Sequence, residues 1–185
     1  MKLRHIVFGI ILFSINLTAQ HKNFIGFGVV SEMNQGKMLH DNVSFSYERQ
    51  FHKFHGLLIE LNRRQIIRNT TFYNNINLEY LTSRVREKYL SIPVSYKFYS
   101  KIVNISTGFN LDYFVGWENL LNNSELTSYN INPRYSIGWN IKISKTIPLY
   151  SQLYLEPEIF YNPIFLHQYA YYHYGIGAKL KYELK

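Results

Sequence analysis

From Tyr172 to Lys185 the chain alternates almost without a break. Tyr172, Tyr174, Ile176, Ala178, Leu180, Tyr182 and Leu184 are apolar or aromatic, and the residues between them are small, polar or charged. Successive side chains of a strand point to opposite faces, so this stretch carries one apolar wall and one polar wall. Strands of water-soluble proteins average about 5–6 residues, whereas a tilted strand that crosses a bilayer needs about 9–11. Length and pattern together predict a strand with lipid on its apolar side and a lumen on its polar side.

The N-terminus agrees with export. Lys2 and Arg4 precede an apolar run from Ile6 to Leu17, and Leu17-Thr18-Ala19 forms a cleavage site before Gln20. That run, about a dozen residues, is shorter than the roughly 20 of a spanning helix. Residues 1–19 therefore read as a cleaved signal peptide and residues 20–185 as one β-barrel domain. No cysteine stands at the junction or anywhere else, which excludes a lipoprotein anchor and a disulfide framework and leaves closure to strand pairing. Aromatic residues make up 17% of the chain, with 17 tyrosines, whose apolar rings and wet hydroxyls suit a membrane–water interface. The formal charge of +8 drops to about +6 once Lys2 and Arg4 leave with the signal. No zinc finger, recognition helix or RNA-binding signature accompanies it, so no nucleic acid is expected and anionic lipid is the natural counter-surface.

Period-two patterning marks eight segments: Asn23–Met33, Asn42–Phe51, His55–Ile67, Glu87–Tyr99, Ile102–Val115, Ile131–Ser144, Ser151–Tyr161 and Tyr171–Leu184. Their connections alternate between short (His52-Lys53-Phe54, Ser100-Lys101, Lys145–Tyr150) and long (centred on 34–41, 68–86, 116–130 and 162–170). The predicted fold is all-β, an eight-stranded antiparallel up-and-down transmembrane β-barrel with short periplasmic turns and long outer loops. A soluble lipocalin-like barrel is the competing architecture, with the apolar face lining a ligand cavity. The Gly, Ser and Asn of the polar faces favour the membrane barrel. So do the aromatics near strand ends, Tyr47, Phe51, Tyr96, Phe98, Tyr113 and Tyr182.

Strand parity sends Ile131 and its alternates outward and gathers charges inside. Glu156 and Glu158 lie between strands that carry Arg134, Lys142, Lys179 and Lys181, with Glu48, Glu60, Arg64, Lys97 and Asp112 farther round. These read as an ionic network that fills the lumen, because a buried charge without a partner is costly. A narrow selective pore is the alternative. The second outer loop is the candidate binding element, with Arg68, Phe72, Tyr73, Tyr80, Arg84 and Arg86. Its flanks, Thr70–Tyr73 and Asn77–Leu81, read as a hairpin above the membrane that offers open strand edges to a partner and arginines to lipopolysaccharide phosphates. A less favoured reading is a lipid-modifying enzyme using His40, Asp41 and His173 at the outer rim. No nucleophile–base spacing or tight metal-ligand spacing supports it, so no catalytic, cofactor or metal site is expected.

The segment Lys88–Phe98, KYLSIPVSYKF, resembles the Tyr-Leu-x-Ile-Pro strand of the PorT-like outer-membrane β-barrel family of Gram-negative bacteria. Leu153–Tyr161 (LYLEPEIFY) and Gly175–Tyr182 (GIGAKLKY) are similar to that family as well. The resemblance implies an integral outer-membrane barrel, often of undefined role, some of whose relatives assist secretion or surface assembly. An envelope or secretion-assembly protein, outer-membrane lipid and lipopolysaccharide are thus the expected partners. The chain departs from many such barrels by ending on Tyr182-Glu183-Leu184-Lys185 rather than on an aromatic residue.

Overall fold

The computed structural model describes residues 21–34, 37–74, 79–121, 129, 131, 133–166 and 171–185. The segment expected to be a signal peptide, His167 and the tips of the long loops lie outside these residues. Among the described residues every regular element is a strand: β1 (Lys22–Asn34), β2 (Lys37–His52), β3 (His55–Asn74), β4 (Glu79–Phe98), β5 (Asn104–Asn119), β6 (Tyr135–Ser144), β7 (Ile147–Tyr150), β8 (Leu153–Leu166) and β9 (Tyr171–Leu184). All pair antiparallel in one sheet of order β6-β5-β4-β3-β2-β1-β9-β8-β7.

β6 pairs with β5 along one edge (Asn104↔Ser144 to Tyr113↔Tyr135) and with β8 along the other (Ile143↔Ile159, Ser144↔Glu158). The first and last long strands also pair, from Asn23↔Leu184 to Asn34↔His173. The ladder of pairings thus returns on itself through eight long strands, and β7 is a four-residue strand annexed to β8. That short strand occupies the connection read from the sequence as a plain turn.

Proline interrupts the ladder where its missing N–H would have to donate. Between β3 and β4 the register passes from Ile59↔Val94 to Asn62↔Ser91, skipping Pro93. Between β6 and β8 it passes from Ile141↔Tyr161 to Gly138↔Ile164, skipping Pro163. Strand starts also shift from their expected places. The fifth begins at Asn104, because the Ser100 hydroxyl accepts the amides of Ile102 and Val103 and folds them into a turn. The sixth begins at Tyr135, after Pro133, and Ile131 is buried at 7% exposure rather than turned outward.

One wall of the closed sheet is apolar and exposed: Ile25, Phe27, Val29, Phe45, Phe109, Ile176 and Leu180 all lie on it. The other wall is buried and mostly polar, lined by Ser, Asn, Gly, Lys and Glu. Single apolar residues such as Phe24 and Leu58 interrupt it, and toward the end that carries the long loops it turns apolar. There Ile66, Tyr89, Phe114, Ile131 and Ile164 form a cluster, with Trp117 and Tyr129 packed against it.

Candidate functional site

The interior is organised by charge. β8 contributes Glu156 and Glu158, and β9 contributes Lys179 and Lys181; a spacing of two keeps each pair on the inner wall. Nearer the short turns, Lys181 Nζ lies 2.7 Å from both Glu48 of β2 and Glu156. Lys97 of β4 donates to Glu48 at 2.7 Å and to Glu156 as well, closing a ring of alternating charges. The hydroxyls of Tyr99 and Ser144 donate to Glu48 (2.8 Å) and Glu156 (2.5 Å).

One layer up, Lys142 of β6 lies 2.6 Å from Glu60 of β3 and 3.3 Å from Glu158. Lys179 lies 2.5 Å from Glu158 and also bridges to Glu60, making a second ring of the same kind. Each ring holds two carboxylates and two ammonium groups, so each is neutral as a unit. β3 and β6 lie on different sides of the circuit, as do β4 and β9, so both rings cross the interior. Glycines make room for the lysine stems. A Cβ at Gly28 would come within 2.6 Å of Lys179 Cγ, and one at Gly26 within 3.2 Å of Lys181 Cγ.

A third layer centres on Arg64. Its guanidinium lies 3.2 Å from Glu32 and 2.8 Å from Asp112, while Asn42 and Asn110 donate to those carboxylates at 3.0 and 2.8 Å. The void left among Glu32, Arg64, Lys142 and Phe160 is about 10 Å³, close to the space of one water. Above it, in register with Ile66 and on the loop side of Tyr89, Glu87 accepts from Tyr89 (2.8 Å), Tyr129 (2.5 Å) and Arg68 (3.1 Å). At the turn end a cavity of about 240 Å³, lined by Phe24, Tyr99, Asn104 and Tyr154, has Glu48 and Lys181 in its wall.

Glu48, Glu60, Arg64, Lys97, Asp112, Lys142, Glu156, Glu158, Lys179 and Lys181 are all buried on the inner wall. Arg134 is not among them. It is exposed just before β6, where its carbonyl accepts the Phe114 amide at 2.7 Å, because alternation has not begun at that point. Glu32 and Glu87 are buried on the same wall, and the sequence reading does not single them out. Glu87 has the parity of Lys97 on β4 and Glu32 that of Gly28 on β1, so alternation carried to the strand ends finds them. His173, which alternation sets on the polar wall of β9 with Lys179, is buried there. His40 and Asp41 are neighbours on β2 and point to opposite walls. Asp41 is exposed and accepts from Ser31, while His173 is fully buried, so these three do not converge.

Of the outer-loop residues, Arg68 turns toward Glu87 and is half-buried. Arg86 lies 3.1 Å from Glu118, Arg84 and Phe72 are half-buried, and Tyr80 is exposed. The side chain of Tyr73 lies outside the described residues. β3 and β4 remain paired up to Asn74↔Glu79, whereas β2 leaves β3 at Ser44↔Asn62 and β5 leaves β4 at Val85↔Asn119. Among the described residues the outer part of this hairpin therefore stands as a two-stranded ribbon with open edges.

No known protein-family profile matches the chain, and no curated protein matches it either. Among solved structures it is similar to Neisserial surface protein A, with 11% identity, coverage of 90% of this chain and 98% of that one, and a TM-score of 0.53. That likeness is one of fold. The N-terminal β-barrel domain of Pseudomonas aeruginosa OprF matches with 9% identity over 88% of this chain and all 100% of that one, TM-score 0.43. Ail, the attachment invasion locus protein of Yersinia pestis, crystallised with the heparin analogue sucrose octasulfate, matches with 13% identity over 88% and 97%, TM-score 0.42.

Proposed function

We propose that the chain is an eight-stranded transmembrane β-barrel of a Gram-negative outer membrane, exported by a signal at residues 1–19. It is a non-enzymatic envelope protein of PorT-like character, with a charge-filled interior that does not conduct. Its β3–β4 ribbon faces outward to engage a surface or secretion-assembly partner.

The observation that carries this reading is the inversion of the two walls. Phe27, Phe45 and Ile176 are 47%, 56% and 63% exposed, while Lys97, Lys179 and Lys181 are 0–2% exposed. Each Å² of apolar surface left in water forgoes about 25 cal/mol, so a continuous apolar exterior calls for a lipid surround. A lipocalin-like protein would show the reverse arrangement, with its apolar face inside. Interior rings that join non-neighbouring strands favour a filled lumen over a pore.

Gel mobility of the outer-membrane fraction, with and without boiling in detergent, tests the reading. A closed barrel resists detergent until boiled, so the band is expected to shift. A soluble periplasmic protein with no shift would overturn the proposal.

A further inference from the structure

β4 carries a sharp boundary on its outward face. Leu90, Ile92, Val94, Tyr96 and Phe98 face outward in succession, and immediately beyond them stand Lys88, Arg86 and Arg84, which alternate with buried Glu87 and Val85. Leu90 to Phe98 covers about 27 Å of strand, or about 20 Å along the membrane normal at a tilt of about 40°, close to an apolar band of about 25 Å. The basic segment therefore starts where hydrocarbon gives way to head groups. On β3, Arg63 pairs in register with Leu90 and is exposed at the same boundary. On β5 the outward wall carries Tyr113 and Val115 and then Glu118, whose carboxylate lies 3.1 Å from Arg86 and 3.2 Å from Lys88.

We infer that Arg63, Arg84, Arg86 and Lys88 form an external binding site for the phosphates of lipid A in the outer leaflet, with Glu118 as a competing internal anion. The inference rests on the membrane orientation proposed above and adds to it a ligand and a place on the outer wall. Lipid A presents phosphate at the depth these cations occupy. A guanidinium binds phosphate through two parallel N–H donors, and Lys88 adds a point charge at the lipid boundary. On the outward face of this region Glu118 is the carboxylate that Arg86 and Lys88 meet. The Lys88 hydrogen bond, and the charges of Lys88 and Arg86, hold that carboxyl below its ordinary range, so it stays ionised and keeps the two cations together until phosphate arrives.

The test uses the full mature chain folded in detergent. Its gel shift on boiling is recorded first, and absence of the shift would sink the barrel reading independently of any lipid result. The folded protein is then titrated by native mass spectrometry with bis-phosphorylated lipid A and with lipid A stripped of both phosphates. Preferential binding of the phosphorylated form is expected, with the triple variant R84Q/R86Q/K88Q weakened about tenfold or more. The charge-matched variant K53Q/K101Q/K145Q, at the opposite rim, should bind as the parent does. E118Q should bind several-fold more tightly, a gain that misfolding cannot produce. Equal retention of the dephosphorylated lipid, an equal loss in the opposite-rim variant, or unchanged binding by E118Q would overturn the proposal.

Discussion

Glu156 illustrates what a single buried charge does in this interior. Its carboxylate accepts from Lys97, Lys181 and the Ser144 hydroxyl, and it is 2% exposed. Desolvating an ion costs several kcal/mol, and here two counter-ions and a hydroxyl offset that cost. Glu156→Gln preserves the shape but leaves one positive charge of the ring without its balance. Removing one partner of such a set costs about 3–5 kcal/mol, so the variant should unfold from lipid vesicles at clearly lower urea. The double variant Glu156→Gln, Lys181→Gln restores neutrality and should recover part of the loss. A Glu156→Gln protein as stable as the parent would show that the ring is already water-screened. Alternation within β8 suffices to send Glu156 inward. Nothing in the sequence names Lys97 as its partner, because that contact depends on how far the closed sheet is sheared between β4 and β8.

At the scale of elements, alternation is legible wherever a strand is regular and fails at its ends. Alternation gives Tyr171–Leu184 the limits it has in the structure. The sequence pattern starts the sixth strand at Ile131, which continues the apolar alternation, whereas Pro133 delays the strand to Tyr135 and leaves Arg134 exposed. The β3–β4 hairpin is legible in the flanks Thr70–Tyr73 and Asn77–Leu81, but its unbroken run from the strands below is not, since the polar stretch between, rich in Asn, Thr and Arg, lacks an apolar wall. Among the described strands, β3 and β4 pair there with each other. The register Asn69↔Arg84 makes a clean excision possible. Deleting Thr70–Leu81 leaves Thr82 and Ser83 as a two-residue connection, and Asn-Gly at those positions would suit the tight hairpin turn. This shortened protein should keep its boiling-dependent gel shift and lose cell-surface cross-links to the partner. Retained cross-links would remove the ribbon from the binding role.

At the scale of the whole molecule, three barriers stand in series along the interior. The ring of Glu48, Lys97, Glu156 and Lys181 is followed by that of Glu60, Lys142, Glu158 and Lys179, and the apolar cluster of Ile66, Tyr89, Phe114, Ile131 and Ile164 closes the loop end. Conductance through elements in series is set by the least permeable one, so opening any single layer leaves the path blocked. Eight strands enclose a space that side chains can fill, and the void near Arg64 is about 10 Å³. The protein should therefore show no stepwise current in a planar bilayer. A variant with the lower ring removed, Lys97→Ser and Glu156→Ser, should also remain silent while losing stability. Stepwise current from the parent protein, altered by those substitutions, would mean that ions thread the charge rings. The interior would then be a selectivity device rather than a plug.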